Sequence, residues 1–169
     1  MSAPAKAMVL PEGGGVIPNL VRERRFLQPG HLLVSAQPIT ITTILGSCIA
    51  VCIWDPGKRV GGMNHFMLPM AVAGAAASPR FGNSAMEELV TRVRNAGGRL
   101  PFLRARVYGG ACMFAGMQSA DHLGRKNADV AMEFLRRSGI DVVEVEVGGN
   151  RGRKLIFNTD EGTACLTTI

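Results

Sequence analysis

The apolar pattern along the middle of the chain is that of β-strands. From Ile39 the segment ITITTILGSCIAVCIWD is rich in β-branched residues, and it ends at residues 55–58, Asp-Pro-Gly-Lys, a turn sequence. The next run, RVGGMNHFMLP, predicts a second strand that is closed by Pro69. Together the two runs predict a β-hairpin with Pro56 and Gly57 at the centre of its turn.

Two later segments have the spacing of amphipathic helices. Ser84 and Glu87 form an S-x-x-E capping box, and apolar residues follow at one-face spacing until Gly97-Gly98. A second helix is predicted over about 126–137, with Gly139 as its stop. The segments LRARVY, DVVEVEV, LIF and TACLTT are typical of strands. These elements predict an α+β domain with sheet at its centre and helices outside.

Composition adds a domain plan and a compartment. Residues 1–30 contain four prolines and the run Gly13-Gly14-Gly15, which predicts a loosely ordered arm before a single domain over 31–169. The 169 residues are 47% hydrophobic and 19% charged, a globular composition. We find no apolar run near the roughly 18 residues that cross a bilayer, and the first residues do not resemble a secretion signal. We therefore expect a cytoplasmic protein without membrane insertion.

Charge and cysteine content narrow the chemistry only in part. The formal charge of +6 favours an acidic partner, but it does not choose between protein, nucleic acid and membrane surface. The four cysteines are too sparse for a disulfide scaffold. Cys48 and Cys52 have no second Cys/His pair with which to complete a metal site, so we expect no metal.

The predicted hairpin brings a thiol and an imidazole together. A two-residue turn at 56–57 sets Cys48 opposite His65 on one face, where the two side chains could exchange a proton. Thr42 is the candidate third group, because its hydroxyl could accept the ring N–H if the chain bends at 45–47. Spacing alone leaves Cys48 open to a second interpretation, since a cysteine in an apolar strand is more often a core residue. His31 and His122 are interpreted as surface loop residues.

Six blocks of sequence, in order from about Thr40 to Leu166, resemble the CheD family of chemoreceptor glutamine deamidases. The blocks are LGSCIAVCIWDP, GGMNHFMLP, FGNSAMEELV, GGACMF, LGRKNADV and GGNRGRKLIFNTDEGTACL. The resemblance implies catalytic roles for Cys48, His65 and Thr42. It also implies a layered α/β/α sandwich with a mixed, largely antiparallel sheet core and two main helices.

The function implied by the resemblance is that of a protein-glutamine glutaminase acting on methyl-accepting chemotaxis receptors, without metal or organic cofactor. The Cys48 thiolate, its pKa lowered by a His65 imidazolium, would attack the glutamine side chain. Backbone N–H groups around Ser47 would stabilise the oxyanion. Asn150, Arg151 and Arg153 are expected to contact an acidic receptor surface. A CheC-type phosphatase is a candidate partner, and no nucleic-acid role is expected.

Two other functions stay open at this point. A different Cys-His acyl-transfer enzyme, a protease or a transglutaminase, would form the same acyl-enzyme and differ in the nucleophile that resolves it. A non-enzymatic basic regulatory module would bind an acidic chemotaxis protein and use no chemistry.

Overall fold

A computed structural model of the chain describes residues 8–9, 16–17, 21–114, 116 and 121–169. Two α-helices are described, α1 at Gly82–Asn95 and α2 at Leu123–Ser138, with a short 3₁₀ helix at Leu100–Phe102. The strands are β1 Met8–Val9, β2 Val16–Ile17, β3 Glu23–Phe26, β4 Leu32–Ser35, β5 Ile39–Leu45, β6 Ile49–Asp55, β7 Val60–Asn64, β8 Arg104–Gly109, β9 Asp141–Val147, β10 Arg153–Asn158 and β11 Ala164–Thr168.

The strands form two main sheets. One has five strands in the order β4-β7-β6-β8-β9, and the other has four in the order β11-β10-β5-β3. Within them only the β3–β5 and β8–β9 pairs are parallel. The α+β class, with mixed and largely antiparallel sheets and two main helices, is therefore confirmed. Neither described helix has the length and continuous apolar character of a membrane-spanning segment.

The order of the layers differs from the expected α/β/α sandwich. Both faces of β6 are buried: Ile49, Val51 and Ile53 lie in the core beneath the helices, whereas Ala50, Cys52 and Trp54 lie in a second core. Strands β5 and β10 supply the opposite wall of that second core, through residues such as Ile41, Leu45, Leu155 and Phe157. The helices cover one face of the five-stranded sheet and the four-stranded sheet covers the other, so the layers run α, β, β.

The predicted register of the hairpin is wrong by two residues. Cys52 pairs with Met63 and Asp55 with Val60, which leaves a four-residue turn at 56–59. The turn is wider because the Asp55 carboxylate accepts hydrogen bonds from the backbone N–H groups of Gly57 and Lys58. A shift of two residues preserves the face of every side chain.

Cys48 and His65 therefore keep a common face without being cross-strand partners. Cys48 precedes β6, whose first residue, Ile49, bridges to Phe66. The backbone of His65 pairs toward β4 instead: its N–H donates to the carbonyl of His31 at 3.0 Å.

Both helices begin elsewhere than predicted. The expected capping box at Ser84 is not formed, because α1 begins at Gly82 and backbone carbonyls of the preceding loop accept its first N–H groups. Helix α2 begins at Leu123, where the backbone N–H of Arg125 donates to Nδ1 of His122. His122 is thus a helix N-cap rather than the surface loop residue expected from the sequence.

The expected N-terminal arm lies largely outside the described residues. Its last part, residues 21–30, contains β3, which pairs in parallel with β5. Arg22 anchors this part through a hydrogen-bonded ion pair with the buried carboxylate of Asp160, 2.8 Å from Nε to Oδ1. The final third of the expected arm is therefore an edge of the four-stranded sheet.

Candidate active site

His65 lies just after β7, in the space between the two sheets, and its side chain is 1% exposed. Its Nδ1 is 2.7 Å from the hydroxyl oxygen of Thr43, and that hydroxyl donates its proton to the backbone carbonyl of Leu27 at 2.8 Å. A hydroxyl has a single proton, so with Leu27 as its acceptor it must accept the Nδ1–H of His65. The neutral imidazole therefore has its proton on Nδ1 and a lone pair on Nε2.

The second ring nitrogen of His65 is the candidate base. Burial lowers the pKa of the imidazole from its usual 6.5 to about 4, so the ring is neutral at neutral pH. Nε2 is itself buried and has no hydrogen-bond partner among the described residues. An unprotonated and unpartnered Nε2 is free to take a proton from a nucleophile that reaches it.

Cys48 is half-buried and packs against the apolar core between the sheets, the same layer that holds His65. Burial raises the pKa of its thiol, and the residue's own backbone N–H opposes this effect only in part. Cys48 is therefore a thiol at neutral pH, and the thiolate–imidazolium pair expected from the sequence is corrected to a neutral pair. The thiol is not hydrogen-bonded to Nε2 in this conformation; catalytic bonds of this kind often tighten only when substrate binds.

Thr43, not Thr42, holds the imidazole. Thr43 is fully buried on the face of β5 that carries Ile41 and Leu45, whereas Thr42 is half-buried on the opposite face. The expected bend at 45–47 is not what brings a threonine to His65. The chain changes sheets there, because β5 belongs to the four-stranded sheet and β6 to the five-stranded one. Strand β5 therefore faces β7 across the second core.

The loop that carries Cys48 is fixed by three backbone carbonyls. That of Gly46 accepts from the N–H of Ala111 at 2.9 Å, and that of Cys48 accepts from the N–H of Gly110 at 2.8 Å. The carbonyl of Ser47 accepts from the side-chain amide of Asn127 at 3.1 Å. These contacts hold the Cys48 loop against the end of β8 and against α2.

Asn127 is a site residue that the sequence reasoning missed. The same Nδ2 also donates to the carbonyl of Met67, at 3.0 Å, so one buried amide joins the segments that follow His65 and precede Cys48. The sequence did contain a feature that indicates a role for Asn127. Asn127 shares the buried face of α2 with Gly124, Ala131 and Leu135, and a polar side chain on such a face needs partners.

A pocket of about 340 Å³ opens beside Ser47. Its described walls are mainly apolar and include Ala111, Met113, Phe114 and Leu123. Met113 and Phe114 are exposed at its rim. The pocket therefore lies next to the loop that carries Cys48.

The residues of the basic loop that were expected to contact substrate differ in their exposure to solvent. Asn150 and Arg151 are exposed, and their role stays a prediction. Arg153 is buried, and its guanidinium donates to the backbone carbonyls of Gly109 and Gly148 at 3.2 and 2.8 Å. Arg153 therefore braces the ends of β8 and β9, which corrects its expected role as a docking charge.

The other three cysteines lie in different surroundings. Cys52 is fully buried, where desolvation raises the pKa of its thiol strongly. Cys112 lies in the loop after β8, with its thiol 3.7 Å from the carbonyl of Phe114, and Cys165 is exposed on β11. Across the described part of the chain, His, Cys, Asp and Glu side chains form no group of three that could hold a metal ion.

Comparison with known proteins gives one consistent family. The model of the CheD chemotactic sensory transduction family matches residues 67–168. A relative from Anaeromyxobacter dehalogenans, named probable chemoreceptor glutamine deamidase CheD 1, is 45% identical over 168 residues, 99% of this chain and 94% of its own. A second, from Trichlorobacter lovleyi and named probable chemoreceptor glutamine deamidase CheD, is 44% identical over 141 residues, 83% of this chain and 88% of its own.

The likeness to solved structures is more distant. The Neisseria meningitidis protein NMB0706 covers 80% of this chain and 74% of its own at 12% identity, with a TM-score of 0.45.

Stability against unfolding should depend on pH through His65. Its pKa is about 4 in the folded chain and about 6.5 when exposed, so between these values only the unfolded chain binds the proton. The contribution of the neutral His65 to the free energy of unfolding is therefore complete above about pH 6.5. It is lost as pH falls toward about 4, and the loss amounts to at most about 3 kcal/mol. Denaturant unfolding across this range should therefore show a smaller loss of stability in His65→Gln than in the wild type. Equal losses would contradict a buried neutral imidazole.

Proposed function

The chain belongs to the CheD chemotactic sensory transduction family, and we propose that it is a chemoreceptor glutamine deamidase whose nucleophile is Cys48. The observation that carries this proposal is the hydrogen bonding around the His65 ring, from which its protonation follows. Its Nδ1–H is committed to Thr43, while Nε2 is unprotonated, buried and without a described partner in the layer that holds the Cys48 thiol. That arrangement suits a base whose task is to take a proton from Cys48.

The first half of the reaction forms a thioester. Sγ of Cys48 attacks Cδ of the glutamine side chain as Nε2 of His65 takes the thiol proton. The tetrahedral intermediate then collapses, the C–N bond breaks, and the imidazolium gives its proton to the departing ammonia. The hydroxyl of Thr43 accepts the Nδ1–H throughout, which keeps the ring in one orientation and stabilises its transient positive charge.

The second half releases glutamate. Nε2 of His65 takes a proton from water as the water oxygen attacks the thioester carbon, and the proton returns to Sγ as the C–S bond breaks. The net change is glutamine and water to glutamate and ammonia, without a redox step.

Because Cys48 is half-buried and His65 is buried, proton transfer between them depends on bound substrate. A thiol with a raised pKa and an imidazole with a lowered one do not exchange a proton spontaneously. Transfer becomes favourable when the sulfur forms its bond to carbon and negative charge moves to the amide oxygen. Without substrate, the thiol therefore reacts slowly with other electrophiles at neutral pH, and we propose that receptor binding brings Sγ and Nε2 into contact.

The proposed substrates are the glutamines of methyl-accepting chemotaxis receptors, and the proposed compartment is the cytoplasm. The exposed Asn150 and Arg151 are candidate contacts to an acidic receptor surface. A CheC-type phosphatase is kept as a candidate partner.

The reaction is tested by incubating the chain with a glutamine-bearing receptor fragment. We expect ammonia release, and by mass spectrometry the gain that accompanies replacement of a side-chain NH₂ by OH. Cys48→Ala should abolish both, whereas Cys165→Ala, which removes an exposed thiol, should leave both intact. Incorporation of an added amine would indicate a transglutaminase, backbone cleavage a protease, and a fragment that is bound unchanged a regulatory module.

The role of Thr43 is separable from that of its neighbour. Thr43→Val removes the acceptor for Nδ1–H at nearly constant volume, so kcat should fall about tenfold, the value of one ordinary hydrogen bond. Thr43→Ser keeps a hydroxyl and should retain most of the rate. Thr42→Val is the matched control, because that side chain lies on the other face of the strand. Equal losses in Thr42→Val and Thr43→Val would contradict the assignment.

The neutral resting pair predicts the reactivity of Cys48. Because burial raises the pKa of its thiol, alkylation of Cys48 by iodoacetamide should keep rising with pH beyond about 9. Peptide mapping by mass spectrometry after short exposures measures this rate separately for each cysteine. A plateau near neutral pH that disappears in His65→Ala would instead indicate a resting thiolate–imidazolium pair.

A further inference from the structure

The side chain of Asn127 is completely buried, and its Nδ2 donates two hydrogen bonds. Nδ2 lies 3.1 Å from the carbonyl oxygen of Ser47 and 3.0 Å from that of Met67. Ser47 directly precedes the proposed nucleophile, and Met67 follows the proposed base by two residues. One amide therefore fixes the distance between two segments that the sheet alone does not pair at this point.

Holding the Ser47 carbonyl also sets the direction of the next N–H group. The C=O of Ser47 and the N–H of Cys48 belong to one planar trans peptide, so they point in opposite directions. With the carbonyl held toward α2, the N–H of Cys48 must point away from that helix. It lies beside its own thiol, where it stabilises negative charge on the sulfur.

The neighbouring backbone groups are occupied in other ways. The N–H of Ile49, the first residue of β6, donates to the carbonyl of Phe66 at 3.2 Å, and the carbonyl of Cys48 accepts from Gly110. The Cys48 N–H comes one residue before this ladder begins. It is thus the donor placed nearest to a carbon that Sγ attacks.

We propose that the Cys48 N–H is the oxyanion donor of the deamidation and that Asn127 is the positioning residue that aims it. This inference rests on the proposed function. As Sγ bonds to Cδ, the C=O electron pair moves onto the amide oxygen, and the N–H beside the sulfur donates to that oxygen. Asn127 itself does not touch the substrate.

A purely structural role does not account for the buried side-chain amide of Asn127. Its Oδ1 is buried and has no hydrogen-bond partner in the described part of the chain, and such an orphaned acceptor costs about 1–3 kcal/mol. The rest of the buried face of α2 consists of small and apolar residues, including Gly124, Ala131 and Leu135. The two hydrogen bonds that Nδ2 donates, to the carbonyls of Ser47 and Met67, explain why a polar residue with one unsatisfied atom occupies this position.

The test separates oxyanion stabilisation from thiol exposure in Asn127→Leu and Asn127→Ser. The probe is a receptor peptide in which the target glutamine carries an aldehyde instead of the carboxamide. Cys48 adds to the aldehyde carbon, and the resulting hemithioacetal oxygen occupies the oxyanion position. Iodoacetamide alkylates the same sulfur without forming an oxyanion, so it reports thiol access alone.

In Asn127→Leu we expect kcat to fall and the aldehyde Kd to rise by about 10²-fold each. KM and the alkylation rate of Cys48 should stay within about twofold. Asn127→Ser keeps one donor and should give intermediate losses; it also serves if the leucine variant does not fold. Asn95→Leu, at the exposed end of α1, is the matched control and should change none of the four quantities.

Parallel losses in aldehyde affinity and alkylation rate would overturn the proposal, because they indicate general disorder of the loop. Unchanged kcat and aldehyde affinity in both Asn127 variants would overturn it as well. If the wild type itself releases no ammonia from receptor fragments, the proposed function fails instead, and the two failures are distinguishable.

Discussion

The arrangement of the candidate site depends on the hydrogen bond between Thr43 and His65. It joins the two sheets: Thr43 lies on a strand of the four-stranded sheet, and His65 follows a strand of the five-stranded one. Its direction is set by a third group, the Leu27 carbonyl at the end of the segment that contains β3. Because that carbonyl takes the hydroxyl proton, the ring must donate from Nδ1. The basic nitrogen is thereby determined by the way the sheets are stacked.

Burial then decides what kind of pair this is. In an exposed site a neighbouring imidazolium would favour the thiolate, but here desolvation disfavours the charged form of both groups. In the proposed reaction, charge therefore develops only as the new C–S bond forms. This demand explains why the geometry around Cys48 is fixed by many backbone contacts: a neutral pair gains little from long-range attraction and depends on alignment. The amide of Asn127 joins the segment that precedes Cys48 to the segment that follows His65.

The sequence predicted that Cys48 and His65 share a face because alternation along a strand survives an even error in register. The wider turn at 56–59 shifted the pairing by two residues and left Cys48 and His65 on one face. Thr43 was missed because spacing within one strand cannot show that the chain changes sheets at 46–48. Arg153 was misassigned for a related reason, since its buried carbonyl partners lie on distant segments. Class, helices and most strands were predictable from local pattern, whereas layer order required the long-range pairing.

The proposed mechanism requires that His65 rests as the neutral Nδ1–H tautomer with an unprotonated Nε2. Nitrogen-15 NMR of the histidine ring, assigned by comparison with His65→Gln, measures this directly. At neutral pH we expect a protonated Nδ1 and an Nε2 with the chemical shift of an unprotonated ring nitrogen, and in Thr43→Val this tautomer should lose its dominance. A ring protonated on both nitrogens at neutral pH, or on Nε2 alone, would contradict the assignment of Nε2 as the base.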